Sequence, residues 1–385
     1  MLSMTHRTRM GGAALKRALP RALRVAASLL FLLLCLAPRE ARAQVCATPG
    51  KDGPATLTGV VNTYFPGTAS ASAGATSITV GAARIGGAST GITEGDLLLV
   101  IQMQNADIDS SNNSRYGDGV NGGVASGSTN LNTTSTAGFY EYVVAMNTVT
   151  TGGGSIQIRG AGGSNGLINA YTNAAAGTQG QRRFQVVRVP QYSAATLTSG
   201  LTAAPWDGTT GGILAFDVAG ALNLNSAVVS VTGMGFRGGG GRAVDGGGAG
   251  TATDRVLPST ENAHGSKGEG IAGAPRYTYD EFAGAIDDNL VEGLPGGSYA
   301  RGAPGTAGGG GTDSSPSNNE ANSGGGGGAN GGGGGQGGNT WRDQAATGGY
   351  GGVAFPGAAG RLVLGGGGGA GTRNNSPLLP LASSG

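Results

Sequence analysis

Apolar positions in the first half of this chain fall in short runs, not in a helical rhythm. Residues 57–64, 76–80, 96–104, 139–149, 155–159 and 184–189 are rich in Val, Ile, Leu and aromatics and are separated by Gly, Ser, Asn and Thr. That is the pattern of strands and turns. It predicts an all-β domain over 57–195, of β-sandwich type, after a polar lead-in at 44–56. Within it, Leu97-Leu98-Leu99-Val100-Ile101 is continuously apolar, as suits a strand buried on both faces. The run continues into Gln102-Met103-Gln104, whose two amides fit either a ligand reader or the capped edge of a sheet. Phe184 to Val189 is closed by Pro190, which cannot donate to a ladder and predicts the end of the domain's last strand.

From Gly211 the spacing tightens. Segments 212–218, 221–225 and 227–232 are strand-sized with almost no connecting residues, which predicts a linker and a short β-solenoid or hairpin stack over 196–232. Residues 233–385 are then dominated by glycine, with runs at 324–328, 331–335 and 365–369. A helical domain is excluded there, because each internal Gly costs roughly 1 kcal/mol against Ala. Two arrangements fit: a polyglycine-II-like bundle of extended chains with three residues per turn, hydrogen-bonded sideways, or partial low-complexity disorder. The triplets Val353-Ala354-Phe355 and Leu362-Val363-Leu364 beside the glycine runs favour order. In an ordered bundle every third glycine faces a neighbouring backbone, so one of Gly332, Gly333 and Gly334 should refuse a side chain, whereas Ser323 should be a tolerant flank. Denser inserts at 276–292 and 340–343 are expected to project as loops. The chain ends at Ala382-Ser383-Ser384-Gly385 directly after a glycine block, and stacked architectures need end caps, so the natural chain is expected to continue beyond Gly385.

The N-terminus changes how the charge is read. Arg7, Arg9, Lys16, Arg17, Arg21 and Arg24 precede an apolar run at 25–37, and Ala41-Arg42-Ala43 gives a small-x-small pattern before Gln44. This predicts a secretory signal peptide over 1–43, cut after Ala43. The run is shorter than the roughly 20 residues that span a bilayer, so no transmembrane helix is expected in the mature chain. Val45 stands where a lipoprotein anchor on Cys46 would need a small residue. Eight of the 24 basic and one of the 22 acidic residues lie in the first 43, which leaves 16 against 21, a net charge of about −5. A nucleic-acid partner, which needs a basic face, is excluded. The mature chain keeps one cysteine, Cys46, so no internal disulfide is expected despite the oxidising address.

Candidate chemistry is sparse. Gly233-Met234-Gly235-Phe236-Arg237-Gly238 matches the dinucleotide fingerprint and follows a strand, but Gly239-Gly240-Gly241 cannot open the helix that holds the pyrophosphate. No cofactor is expected. Serine-elbow patterns occur at Ser89 and Ser164 without a strand-to-helix setting, and the mature chain has a single histidine, His264, to serve a triad. Cys/His metal sites are excluded by supply. Asp107, Asp109 and Asp118 fall at the first, third and twelfth positions of a calcium-loop pattern; Asn112 replaces its glycine, and an Asn- and Ser-rich turn is the competing reading. In the acidic insert, Asp280 or Glu281 against Asp287 or Asp288 could make a glycosidase pair, though acids on a loop are ordinarily only solvated. Tyr277, Tyr279, Phe282 and Trp341 suit contact with a sugar or another protein.

At Pro205-Trp206-Asp207-Gly208-Thr209-Thr210-Gly211-Gly212-Ile213, at Gly233 to Gly239, at Gly95 to Gln104 and at Arg188-Val189-Pro190-Gln191-Tyr192, the chain resembles the N-terminal region of large glycine-rich secreted proteins of Gram-negative bacteria. Those often continue into Ig-like modules of the DUF11 kind. The resemblance covers roughly residue 57 to the end and implies surface display without catalysis; it brings no functional residues. The glycine blocks alone are architecturally similar to polyglycine-bundle tips of phage tail-fibre adhesins. The expectation is a secreted structural or adhesive surface module whose partners are surface glycans or other surface proteins. The alternatives are a carbohydrate-binding module using the aromatic inserts and an extracellular β-solenoid enzyme acting on polysaccharide.

Overall fold

Hairpin-forming strands in the first half pair into one antiparallel sheet of six in this computed structural model, which describes residues 47–117, 135–244, 250–261, 263–280, 284–287, 292–313, 321–340, 347–355 and 360–373. All of these belong to one unit, Gln44–Gly385; the leader and Cys46 lie outside the described residues. The strands are β1 (Pro54–Val60), β2 (Thr63–Pro66), β3 (Ser77–Val80), β4 (Leu97–Gln104), β5 (Tyr140–Ala145), β6 (Gly154–Arg159), β7 (Arg183–Val189), β8 (Gln191–Tyr192), β9 (Ala194–Thr202), β10 (Asp217–Val218), β11 (Leu222–Asn223), β12 (Gly238–Gly239), β13 (Arg242–Ala243), β14 (Tyr277–Asp280), β15 (Gly284–Asp287) and β16 (Thr372–Arg373). Among the described residues there is no α-helix, and helical geometry is confined to short 3-10 pieces such as Gly163–Asn165. The fold is all-β, and no described helix is long and apolar enough to cross a membrane.

The six strands run in the order β2-β7-β4-β5-β6-β3. In place of two facing sheets, this one sheet curls until β3 returns to β2: Val80 bridges Gly67, and the Gly81 N–H donates to the Pro66 carbonyl at 2.9 Å. Gly67 permits the curl, because the Phe184 ring occupies the space its side chain would fill. Strand β4 is buried along its whole length, as its apolar run requires. Leu98 and Val100 point to the concave side with Phe65, Ile78, Ile156, Tyr171 and Phe184. Leu97, Leu99, Ile101 and Met103 point to the other side.

That other side is covered from further along the chain, by Trp206, Ile213, Phe236, Val256, Ile271 and Ala272. One core therefore runs across the boundary expected near residue 195. Pro190 ends pairing in the large sheet, yet the chain continues directly into β8 and β9. Parallel pairing then takes over: β1, β9 and β11 form one sheet, β10 pairs with β8, and Val229 bridges Leu201. Successive short segments of 191–232 thus lie beside one another in the same direction.

The glycine-rich segments are held by lateral hydrogen bonds of 2.8–3.0 Å between residues far apart in sequence. Gly326 and Ala329 donate to Gly309 and Thr306; Gly366, Gly369 and Thr372 donate to Ala329, Gly326 and Ser323. Gly334 and Gly337 donate to Gly352 and Gly349, and Gly308 and Gly311 to Gly367 and Ala370. Donors and acceptors both step by three residues in every set. Residues 302–313 are buried throughout and exchange bonds with 265–268, 326–329, 347–353 and 367–370, which makes them the axis of the assembly.

The missing side chains are what allow this approach. A Cβ on Gly325, Gly328, Gly334, Gly337, Gly366 or Gly369 would overlap a carbonyl of the adjacent segment, whereas Gly331, Gly332 and Gly335 have nothing within 4 Å. Ser323 is not the tolerant flank expected from the sequence. It is buried, and its hydroxyl lies between two acceptors for its one proton, the Thr312 carbonyl at 2.6 Å and the Thr347 carbonyl at 2.9 Å. Nor is the insert at 276–292 a free loop. β14 and β15 form an antiparallel hairpin, and β12 adds to its edge through Gly238 and Gly239.

Candidate functional site

The residues singled out for chemistry are mostly engaged in holding the fold. Gln102 donates to the carbonyls of Gln104, Thr172 and Arg183 and accepts from the Thr172 N–H at 2.7 Å, so its amide staples strands and reads no ligand. Gln104 is equally buried, donating to Glu269 and to the Gly270 carbonyl and accepting from Gln181. Of the calcium-loop set, Asp107 pairs with Arg182 at 2.8 Å, and Asp109 pairs with Arg115 at 3.2 Å while accepting the Ser111 N–H. Asp118 lies outside the described residues. Among the described residues, no group of three or more His, Cys, Asp or Glu is placed to share a metal ion.

Tyr277 and Tyr279 are half-buried on β14. The Tyr277 ring stacks on buried Tyr299 with centroids 6.1 Å apart, and the Arg276 guanidinium lies 5.0 Å from its centroid. One of its faces is thereby spent inside the protein. Phe282, Glu281, Asp288 and Trp341 lie outside the described residues, as do the side chains of Asp280 and Asp287.

His264 is fully buried with φ +65°. Its Nδ1 accepts the Asp313 backbone N–H at 2.9 Å, so the ring proton is on Nε2, which donates to Asp254 at 3.0 Å. Burial would raise the Asp254 carboxyl, but the hydrogen bonds from His264, the Thr251 N–H and Asn112 outweigh it and hold the acid well below the usual range. Among the described residues no serine hydroxyl is a partner of the imidazole; the Ser266 hydroxyl donates to the Tyr277 carbonyl at 2.8 Å. Ser89 is exposed in irregular chain and Ser164 is exposed in the 3-10 turn. The fingerprint glycines lead into β12, an extended segment, and Arg237 within them is committed to an ion pair.

That ion pair belongs to a joint the sequence did not disclose. Glu269, with no exposed surface, accepts from Arg237 Nε at 2.7 Å, Trp206 Nε1 at 2.9 Å and Gln104 Nε2 at 3.1 Å. One carboxylate thus ties the end of β4, the linker and the start of the glycine field together. The local sequence Gly268-Glu269-Gly270 carries no signal for this, because the partners lie far away in the chain. Two further buried acids serve similarly. Glu141 caps the N–H groups of Ile168 and Asn169 and accepts the Tyr171 hydroxyl, and Asp96 binds Arg188 and Lys51.

Among the described residues Lys267 is the most deeply buried cation. Its ammonium donates to the carbonyls of Arg255, Ala300 and Gly302 and sits 4.4 Å from the centroid of the Tyr116 ring. Burial and then the charge of Arg255 push it well below the ordinary lysine value, with Glu292 opposing.

An apolar edge is also exposed among the described residues. Leu222, Leu224, Val228, Val229 and Val231 are exposed along the outer side of the parallel sheet, where β11 pairs with β9 and with no further strand. The chain matches no family model, and neither a curated protein nor a solved structure is similar to it.

Proposed function

We propose that this chain is a secreted, non-catalytic structural or adhesive module of the bacterial cell surface, in which a curled β-domain carries a polyglycine-II-like bundle. The observation that carries the reading is the three-residue step of the lateral hydrogen bonds across the glycine segments. A chain with three residues per turn presents every third residue to the same neighbour, and glycine lets those backbones meet. Such a bundle is stiff, and its axis at 302–313 contains only Gly, Ala, Pro, Thr and Asp, which suits a spacer or display element better than a reaction centre. The buried acids Glu269, Glu141 and Asp96 are each spent on structural partners. Outside the bundle, the exposed edge from Leu222 to Val231 offers apolar contact to a neighbouring surface protein, since sheet edges with apolar side chains favour association. The leader supplies the address.

Export of the full chain from a Gram-negative host tests this. Labelling of intact cells with an antibody to the chain, together with adhesion of the purified mature protein to cell surfaces and a glycan array, should find it outside the cell and binding without turnover. Cytoplasmic retention, or release of reducing ends from polysaccharide, would overturn the reading.

A further inference from the structure

Two arginines are set side by side by the backbone of the glycine field. The Arg301 N–H donates to the Asp254 carbonyl at 3.2 Å and the Gly302 N–H to the Arg255 carbonyl at 2.9 Å. The Lys267 ammonium clamps the same pair of segments by capping the carbonyls of Arg255, Ala300 and Gly302. Both guanidinium groups then lie against one ring: Cζ of Arg301 is 4.2 Å and Cζ of Arg255 is 5.7 Å from the centroid of Tyr350. The Tyr350 N–H donates to the Arg301 carbonyl at 2.8 Å, which fixes the ring relative to the pair.

The charge of this cluster is not balanced from within. Among the described residues no carboxylate forms an ion pair with Arg255 or Arg301. Asp254 is committed to His264, Asn112 and the Thr251 N–H. Glu292, the acid that faces Lys267, gives its oxygens to the Ser259 N–H and the Ser298 hydroxyl. Arg301 is 9% exposed, and its Nε, like that of Arg255, has no hydrogen-bond partner, while one Nη of Arg255 donates to the Thr253 carbonyl. Burial holds Arg301 below the ordinary guanidinium value; Tyr350 opposes this and the charge of Arg255 adds to it.

A buried guanidinium without an acceptor is costly, and its planar fork of donors matches the geometry of an oxyanion. Lys267 cannot be the contact, because its three donors are already used. Arg255 and Tyr350 are only half-buried, so the cluster borders solvent although both Nε atoms lie beneath its surface. We propose that Arg255 and Arg301, floored by the Tyr350 ring, form a binding site for an oxyanion, a carboxylate, sulfate or phosphate group, either free or carried on an acidic polysaccharide. This does not rest on the surface-module reading, since a free anion would engage the same fork.

The test is titration of the 15N-labelled mature protein with sodium sulfate, inorganic phosphate, galacturonate and polygalacturonate, each against chloride at matched ionic strength. The arginine Nε–H resonances are followed, those of Arg255 and Arg301 being assigned by their loss in Arg255→Gln and Arg301→Gln. The expected result is a saturable shift of both, with affinity weakened at least about tenfold in either variant, the loss expected for a charge-assisted hydrogen bond. Polygalacturonate binding more tightly than galacturonate identifies a polymer-borne group; equal binding of the small anions identifies a free one. Both outcomes support the site. If Arg301→Gln does not fold, the half-buried Arg255→Gln carries the comparison. Absence of a saturable shift with all four probes, or wild-type affinity in the folded variants, overturns the proposal.

Discussion

The Trp206 indole N–H donates to the Glu269 carboxylate at 2.9 Å, and neither side chain has any exposed surface. Trp206 lies in the linker after β9 and Glu269 between two glycines, so this bond joins regions whose sequences look unrelated. Its other ligands, Gln104 and Arg237, extend the joint to the central strand of the curled sheet and to the first glycine segment.

Replacing Glu269 by Gln should therefore destabilise the whole unit, not one loop. Removing one partner of a buried ion pair costs about 3–5 kcal/mol, because the other charge is left buried; here that charge is Arg237, whose side chain is 7% exposed. Urea unfolding followed by tryptophan fluorescence and by far-ultraviolet circular dichroism should show both midpoints falling together. A loss confined to one probe, or below about 0.5 kcal/mol, the usual ceiling for a single surface change, would show that the joint is not shared.

Within the glycine bundle the cost of a side chain depends on position in the three-residue step. Gly334→Val would drive a Cβ into the Gly327 carbonyl, Gly333 has its nearest neighbour at 3.8 Å, and Gly332 has none within 4 Å. Overpacking costs about 1–3 kcal/mol, so Gly334→Val should lower the melting temperature clearly while Gly332→Val leaves it nearly unchanged. Equal melting curves for the two variants would refute packed segments. Ser323→Val belongs with the harmful set, since the buried hydroxyl whose single proton is shared between the Thr312 and Thr347 carbonyls is lost.

The Asp96 network predicts an acid limb of stability. Burial raises the carboxyl, but hydrogen bonds from Arg188, Lys51 and the Thr93 N–H more than offset this and hold it below 3.8 in the folded state. A depressed folded value means stabilisation that is fully present above the unfolded value and is lost as pH falls through the folded one. Asp96 should therefore contribute constantly from neutral pH down to about 5 and progressively less below about 4, the unfolded aspartate range. The slope of unfolding free energy against pH below 4 should be shallower in Asp96→Asn, with lower stability at pH 7. An unchanged slope would remove Asp96 from the account.

Mass spectrometry of exported protein should find Gln44, open or cyclised, as the first residue. The expectation rests on Ala41-Arg42-Ala43 and the short apolar run before it. An intact leader on exported protein would contradict it.

Legibility varied with how local the cause was. Strands such as 97–104 and 183–189 are readable because apolar β-formers declare themselves residue by residue, and the double burial of β4 follows from its unbroken apolar run. The hairpin of β14 and β15 was hidden: Tyr-Thr-Tyr-Asp alternates without an apolar face, and its edge partner β12 consists of two glycines with no side-chain pattern. Glu269, Lys267 and His264 read as isolated polar residues in a glycine field, and only their distant partners make them structural.

Composition and pattern by themselves determined that this chain is all-β, that helix is barred from its second half, and that its glycine blocks, if ordered, must pack by backbone. They also carry the expectation of an export leader, because such a leader is read locally. Tertiary structure alone decided that the large sheet curls onto itself, that residues 302–313 form the axis, and which glycines face a carbonyl. The physical reason is that a polyglycine segment has no side-chain face of its own. Its inside and outside exist only once long-range hydrogen bonds have placed its neighbours.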